Sequence, residues 1–144
     1  MQAIFLVAGF IVFIDQLSKY LAVHFLSSAG SHPVIPGIFH LSYVENTGIA
    51  FGFFHSYPQL WLVIISLSVA GLAVGSWFFK NKSLIQRIAY GFILGGAIGN
   101  WIDRLRVHYV IDFLDFRVWP VFNIADSFIT IGVAIFIWFA LKGE

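Results

Sequence analysis

Residues 59–79, "QLWLVIISLSVAGLAVGSWFF", carry no charged side chain. A helix of that length crosses the roughly 30 Å hydrocarbon core of a bilayer, which takes about 20 apolar residues. Three further stretches come close. Residues 2–26 are long enough, although Asp15 and Lys19 interrupt them. Residues 88–102 are apolar, and the stretch reaches back to about 84 if the Arg87 side chain extends to the interface. Residues 121–141 qualify apart from Asn123 and Asp126. The chain of 144 residues is 60% hydrophobic and 10% charged, more apolar surface than a soluble domain of this size can hide. The expectation is one membrane-embedded domain, 1–144, an all-α integral membrane protein. It has four transmembrane helices, at about 2–26, 59–79, 84–102 and 121–141. A small extracytoplasmic β-hairpin or sheet region lies between helices 1 and 2.

The first stretch has no basic n-region and no small-x-small cleavage site, so it is expected to stay as a span. The 80–87 connection holds Lys80, Lys82 and Arg87, whereas 27–58 holds no Lys or Arg. Lys and Arg favour the cytoplasmic side, which puts both termini and residues 80–87 there and the two longer loops outside. The loop 103–120 also has Arg104, Arg106 and Arg117, but Asp103, Asp112 and Asp115 share it, as if these arginines served a site. In 27–58, the alternation of Phe39, Leu41 and Tyr43 followed by Asn46-Thr47-Gly48 suggests a short hairpin at the membrane surface. The pairs Gly71-x3-Gly75, Gly91-x3-Gly95 and Gly95-x3-Gly99 suit close helix packing in lipid.

Net charge is +1, which leaves no nucleic-acid footprint, and the absence of cysteine excludes disulfides and thiolate chemistry. The five histidines, His24, His32, His40, His55 and His108, show no His-x3-His pair, so no metal site is expected. Neither a Gly-x-Ser-x-Gly elbow nor a phosphate loop is present.

The polar residues inside the apolar stretches are the informative ones, because ionisable groups in a membrane are costly and usually functional. Asp15 and Lys19, four apart, share a helix face and form either a self-neutralising structural pair or the border of a reaction site. Asp126 lies about five residues into the fourth stretch, roughly 7 Å from its outer end. It reads as either a cap-like acid at a helix N-terminus or a reactive carboxylate, and Val121 and Phe122 before it weaken the simple cap. A Ser–Lys dyad using Lys19 is conceivable. Two carboxylates are the better-supported pair: close acids share one proton, so one takes a proton from water while the other polarises a carbonyl. The partner of Asp126 is Asp112 or Asp115. Spacing alone does not choose, since residues three apart share a face in a helix and oppose each other in a strand. The apolar flanks of Asp112 favour it, and Arg117 near Asp115 would keep that acid ionised.

The segments "DQLSK" (15–19), "NTGIAFG" (46–52), "GNWIDR" (99–104), "VIDF" (110–113) and "FNIADS" (122–127) together resemble the ordered motifs of the prolipoprotein signal peptidases, or signal peptidase II. The resemblance spans essentially the whole chain. It implies an aspartic endopeptidase of the bacterial cytoplasmic membrane that removes the signal peptide just before a diacylglyceryl-modified cysteine. It also implies catalytic aspartates at Asp112 and Asp126 near the outer leaflet. Orienting or substrate-binding positions fall on Asp15, Asn46, Gly48, Asn100, Arg104 and Asn123, and Lys19 joins them through its pairing with Asp15. Asp115 falls on no catalytic position, and Asp103 belongs to a motif with a more structural role. Ile49 departs mildly from the family pattern, where a small residue is usual. The implied partners are lipid-modified prolipoproteins and membrane lipids, with no nucleic acid, no cofactor and no obligatory protein partner. Two readings of other classes use the same residues: a small proton-coupled transporter with Asp15, Lys19 and Asp126 as relay, and a structural assembly factor with glycine-rich spans.

Overall fold

The computed structural model of the protein describes residues 1–28, 30–48 and 58–143. Four helices, α1 (Gln2–Leu26), α2 (Pro58–Gly75), α3 (Leu84–Val107) and α4 (Ile124–Leu141), accompany three strands, β1 (Ser31–Ile35), β2 (Phe39–Asn46) and β3 (Val110–Asp115). A 3-10 turn, Ser76–Phe79, extends α2. Three helical stretches are long and apolar enough to cross a membrane: Gln2–Leu26, Gln59–Phe79 and Ile124–Leu141. Their outward faces leave Leu6, Phe10, Leu67 and Val74 exposed, which is the surface of a protein dissolved in lipid. α3 is the central helix, packed against α1, α4 and α2. Because protein surrounds it, its polar residues can face inward, and its composition is correspondingly less apolar.

Local chemistry sets the helix ends. A capping box opens α3: Gln86 N–H donates to Ser83 Oγ, and Ser83 N–H donates to Gln86 Oε1. His108, at φ 68°, closes it in the left-handed region. α4 begins at Ile124 rather than at 121, because Asn123 is its N-cap and accepts the Asp126 N–H on Oδ1 at 2.9 Å. Phe122 before the cap is instead bridged to Leu114 of β3.

The glycine stripe on α3 works as close-packing surface. A Cβ on Gly91 would fall 2.9 Å from Ile4 O, and one on Gly95 would fall 2.7 Å from Ala8 O, so both let α1 approach. Gly96 does the same for α4, against Ala125 O. Gly71 departs from the packing expectation, with open space where its Cβ would be.

The strands form one antiparallel sheet in the order β1-β2-β3. The alternation over Phe39–Tyr43 does mark a strand. Its hairpin, however, closes upstream, at residues 36–38, where Ile35 pairs with Phe39 and Gly37 has φ 76°. Asn46-Thr47-Gly48, where the turn is expected, instead ends β2. The third strand comes from the loop between α3 and α4, which the sequence pattern does not single out. The sheet rests on the end of α1 through Ala22, Leu26 and Phe113. A second apolar cluster, Ile4, Ala8, Tyr90 and Leu94, fills the other end of the bundle. Between the two clusters lies a polar layer.

Candidate active site

That layer is built from the second half of α1, the second half of α3, β2, β3 and the first turn of α4. Asp112 is 1% exposed and Asn123 fully buried. Asp112 accepts two hydrogen bonds, from Asn123 Nδ2 on Oδ1 at 2.6 Å and from Asn46 Nδ2 on Oδ2 at 2.8 Å. Asp126 is half-buried, and its Oδ1 accepts from Asn100 Nδ2 at 2.8 Å. Asn123 therefore touches both acids, Asp112 through its amide nitrogen and the Asp126 backbone through its amide oxygen.

A second tier holds the asparagines. Lys19 Nζ donates to Asn100 Oδ1 at 2.9 Å and pairs with Asp15 at 2.8 Å and Asp103 at 2.7 Å. An ammonium can only donate, so it fixes Asn100 with its oxygen toward Lys19 and its nitrogen toward Asp126. Asp15 Oδ1 accepts the Ala125 N–H at 2.9 Å, so Asp15 and Asn123 satisfy two of the orphan amides that open α4. Asp103 Oδ2 accepts the Ile111 N–H at 3.2 Å, one residue before Asp112, and Gln16 Nε2 donates to its other oxygen at 2.8 Å. Arg104 donates from Nη1 to Asn100 O at 3.2 Å, while its buried Nε has no hydrogen-bond partner among the described residues. Gly48, at φ 71°, donates its N–H to Asn46 Oδ1, and a Cβ there would lie 3.2 Å from Arg104 Nη2.

All nine expected site residues thus meet: Asp15, Lys19, Asn46, Gly48, Asn100, Arg104, Asp112, Asn123 and Asp126. The Asp15–Lys19 pair fits both of its readings, being self-neutralising and bordering the acids. Asp126 sits in the first helical turn, nearer the start of its helix than expected, because α4 starts later. Ile49 and the rest of "NTGIAFG" beyond Gly48 lie outside the described residues.

Gln16 and Asp103 lie outside the expected set, and the network depends on both. Their signal was spacing: Asp15, Gln16 and Lys19, like Asn100, Asp103 and Arg104, recur at helical i, i+3 or i+4 offsets beside a residue already singled out. Asp115 takes no part. In a strand it points away from Asp112, accepting from Ser42 Oγ and from the Arg117 N–H, both at 2.8 Å.

The electrostatics separate the acids. Burial pushes the Asp112 carboxyl up to about 6; the Asp126 charge pushes the same way, against the hydrogen bonds from Asn46 and Asn123. The Ser42 hydroxyl and the Arg117 N–H hold Asp115 below the usual carboxylate range. Among the described residues no group of three or more His, Asp or Glu side chains could hold a metal ion.

Two carboxylates joined through one asparagine network, set in a lipid-facing helical bundle, are the arrangement of a membrane hydrolase of the aspartic type. Comparison supplies the particular kind. The family model described as "Signal peptidase (SPase) II" matches residues 7–142, and the chain belongs to that family. The "Lipoprotein signal peptidase" of Caldanaerobacter subterraneus subsp. tengcongensis is 47% identical over 130 residues, covering 90% of this chain and 89% of the relative. That of Halothermothrix orenii is 39% identical over 142 residues, covering 98% and 97%. A solved structure described as "Bacterial membrane enzyme structure by the in meso method at 1.9 A resolution" superposes with a TM-score of 0.87 at 31% identity, covering 100% of this chain and 96% of the other.

Proposed function

We propose that this protein is the lipoprotein signal peptidase of a bacterial cytoplasmic membrane. It cleaves diacylglyceryl-modified prolipoproteins just before the lipidated cysteine, with Asp112 and Asp126 as the catalytic pair. The observation that carries the reading is Asn123, which holds one acid by its side chain and caps the helix that presents the other. Water between the two carboxyls gives a proton to ionised Asp126 while its oxygen attacks the scissile carbonyl carbon. Neutral Asp112 donates to the carbonyl oxygen. The proton on Asp126 then passes to the leaving amine, the diol returns its proton to Asp112, and the peptide C–N bond breaks. No covalent enzyme intermediate forms. Arg104, with its free Nε beside Asn100, orients the substrate backbone, and Asn46 and Gly48 border the entry.

In this reading the domain is a single unit. α3 is a fourth span, tolerated despite its charges because other helices enclose it, and both termini and residues 80–87 are cytoplasmic. The acids then lie toward the outer leaflet, where a substrate anchored by acyl chains presents its cleavage site. Purified protein should cleave a lipid-modified precursor, release a product beginning at the lipidated cysteine, and leave the unmodified precursor intact. Equal cleavage of the unmodified precursor sinks the substrate assignment. Cysteines introduced at Lys82 and Ser31 should label from opposite membrane faces, and labelling of Lys82→Cys from outside overturns the orientation.

A further inference from the structure

The polar layer has a second face. On the side of Lys19 and Asp103 turned away from the acids, a cavity of about 200 Å³ opens between α1, the end of α3 and β3. Lys19, Asp103 and Ile111 are buried and form its floor, whereas Tyr20 and Arg106 are exposed and form its mouth. A cavity this small does not admit a peptide in extended form, but it suits a compact headgroup.

Its chemistry is uneven. On the floor, the Lys19 ammonium spends its three protons on Asp15, Asp103 and Asn100. The Asp103 carboxylate is likewise committed, to Lys19, Gln16 and the Ile111 N–H. The charged group left over is Arg106, which has no carboxylate or hydrogen-bond partner among the described residues. A guanidinium with free donors matches a phosphate oxygen pair. The setting is the end of an apolar helix, where Tyr20 is 67% exposed and Phe25, about one turn further along, is exposed as well, as in an interfacial aromatic belt. Val23 and Val107 supply an apolar wall on which an acyl chain can lie.

We infer that this cavity binds a membrane glycerophospholipid, its phosphate on Arg106 at the leaflet on the sheet side. The diacylglyceryl group implied for the substrate carries no phosphate, so the occupant is a bulk lipid and the cavity is distinct from the cleavage site. A lipid seated there would press on the Asp103–Lys19–Asn100 chain that reaches Asp126.

Native mass spectrometry of the detergent-purified protein, titrated with phosphatidylglycerol, tests this directly. Wild type should bind one lipid about tenfold more tightly than Arg106→Gln, the loss of one charge-assisted contact. Lys80→Gln, at the opposite end of the bundle, should match wild type. Val23→Trp, which fills the cavity without changing charge, should weaken binding as well. A diacylglycerol of the same tails should bind no better to wild type than to Arg106→Gln. Equal phosphatidylglycerol affinity in wild type and Arg106→Gln, with both folded by thermal melt, overturns the inference. So does displacement of the lipid by millimolar inorganic phosphate, which would make the site one for a soluble anion.

Discussion

The side-chain nitrogen of Asn123 lies 2.6 Å from Asp112 Oδ1. The same side chain caps α4 through the Asp126 N–H, so one residue sets both the helix start and the separation of the two acids. Asn123→Ala should therefore do two things at once. Loss of the cap should destabilise the fold by about 0.5–2 kcal/mol. Misplacing the acids should lower kcat by about 10²-fold with little change in KM. A thermal melt and steady-state kinetics on one preparation separate the two effects. A variant that is less stable but fully active would reduce Asn123 to a helix cap.

The packed glycines of α3 should not be equivalent to Gly71 of α2. In Gly95→Ala the new Cβ meets backbone, 2.7 Å from Ala8 O, so helix α1 must move, at about 1–3 kcal/mol. In Gly71→Ala nothing lies within 4 Å, and the exchange should be neutral or stabilising by up to about 1 kcal/mol. Gly99→Ala places a Cβ 2.5 Å from Asp15 Oδ2, and it should cost activity as well as stability because Asp15 holds the start of α4. Equal melting temperatures for Gly95→Ala and Gly71→Ala would contradict this packing account.

The pH profile should carry the mark of Asp112. Its carboxyl is raised to about 6, so the neutral form required of the acid persists below that pH and is lost as pH rises through it. The alkaline limb of kcat/KM should have its midpoint at or above about 6, two units above an ordinary aspartate at about 3.9. The folded state also holds this proton more tightly than the unfolded state. The Asp112 component of stability is thus fully present below about 4 and lost toward pH 6, a fall that Asp112→Asn removes. An alkaline limb centred near 4 would show that Asp112 is not the proton donor.

Much of this arrangement was legible in the chain because lipid imposes simple rules. Residues 59–79 could only be a long helix, and each polar residue within an apolar stretch had to face inward, so Asp15, Lys19, Asn123 and Asp126 announced a common interior. The sheet was less legible. β3 is short, and Val110, Ile111 and Phe113 put apolar side chains on both of its faces, so no alternation marks it, and its pairing with β2 spans more than sixty residues of sequence. The hairpin turn at 36–38 carries a weaker signature than Asn46-Thr47-Gly48, which here ends a strand and aims Asn46 at Asp112. Asp103 gave no sign of its partner. Beside Arg104 in sequence it suggests a local role, whereas folding delivers it to Lys19 and to the backbone of β3.

The central claim is that Asp112 and Asp126 do the chemistry and Asp115 does not. Single-turnover cleavage of one lipid-modified precursor by Asp112→Asn, Asp126→Asn and Asp115→Asn, each shown to be folded, tests it most directly. The first two should lose at least about 10²–10⁴-fold in rate, the contribution of a positioned acid or base. Asp115→Asn should lose less than about tenfold, under 1.4 kcal/mol of barrier. Near-normal cleavage by Asp112→Asn or Asp126→Asn, or a dead Asp115→Asn beside an active Asp112→Asn, would contradict the account.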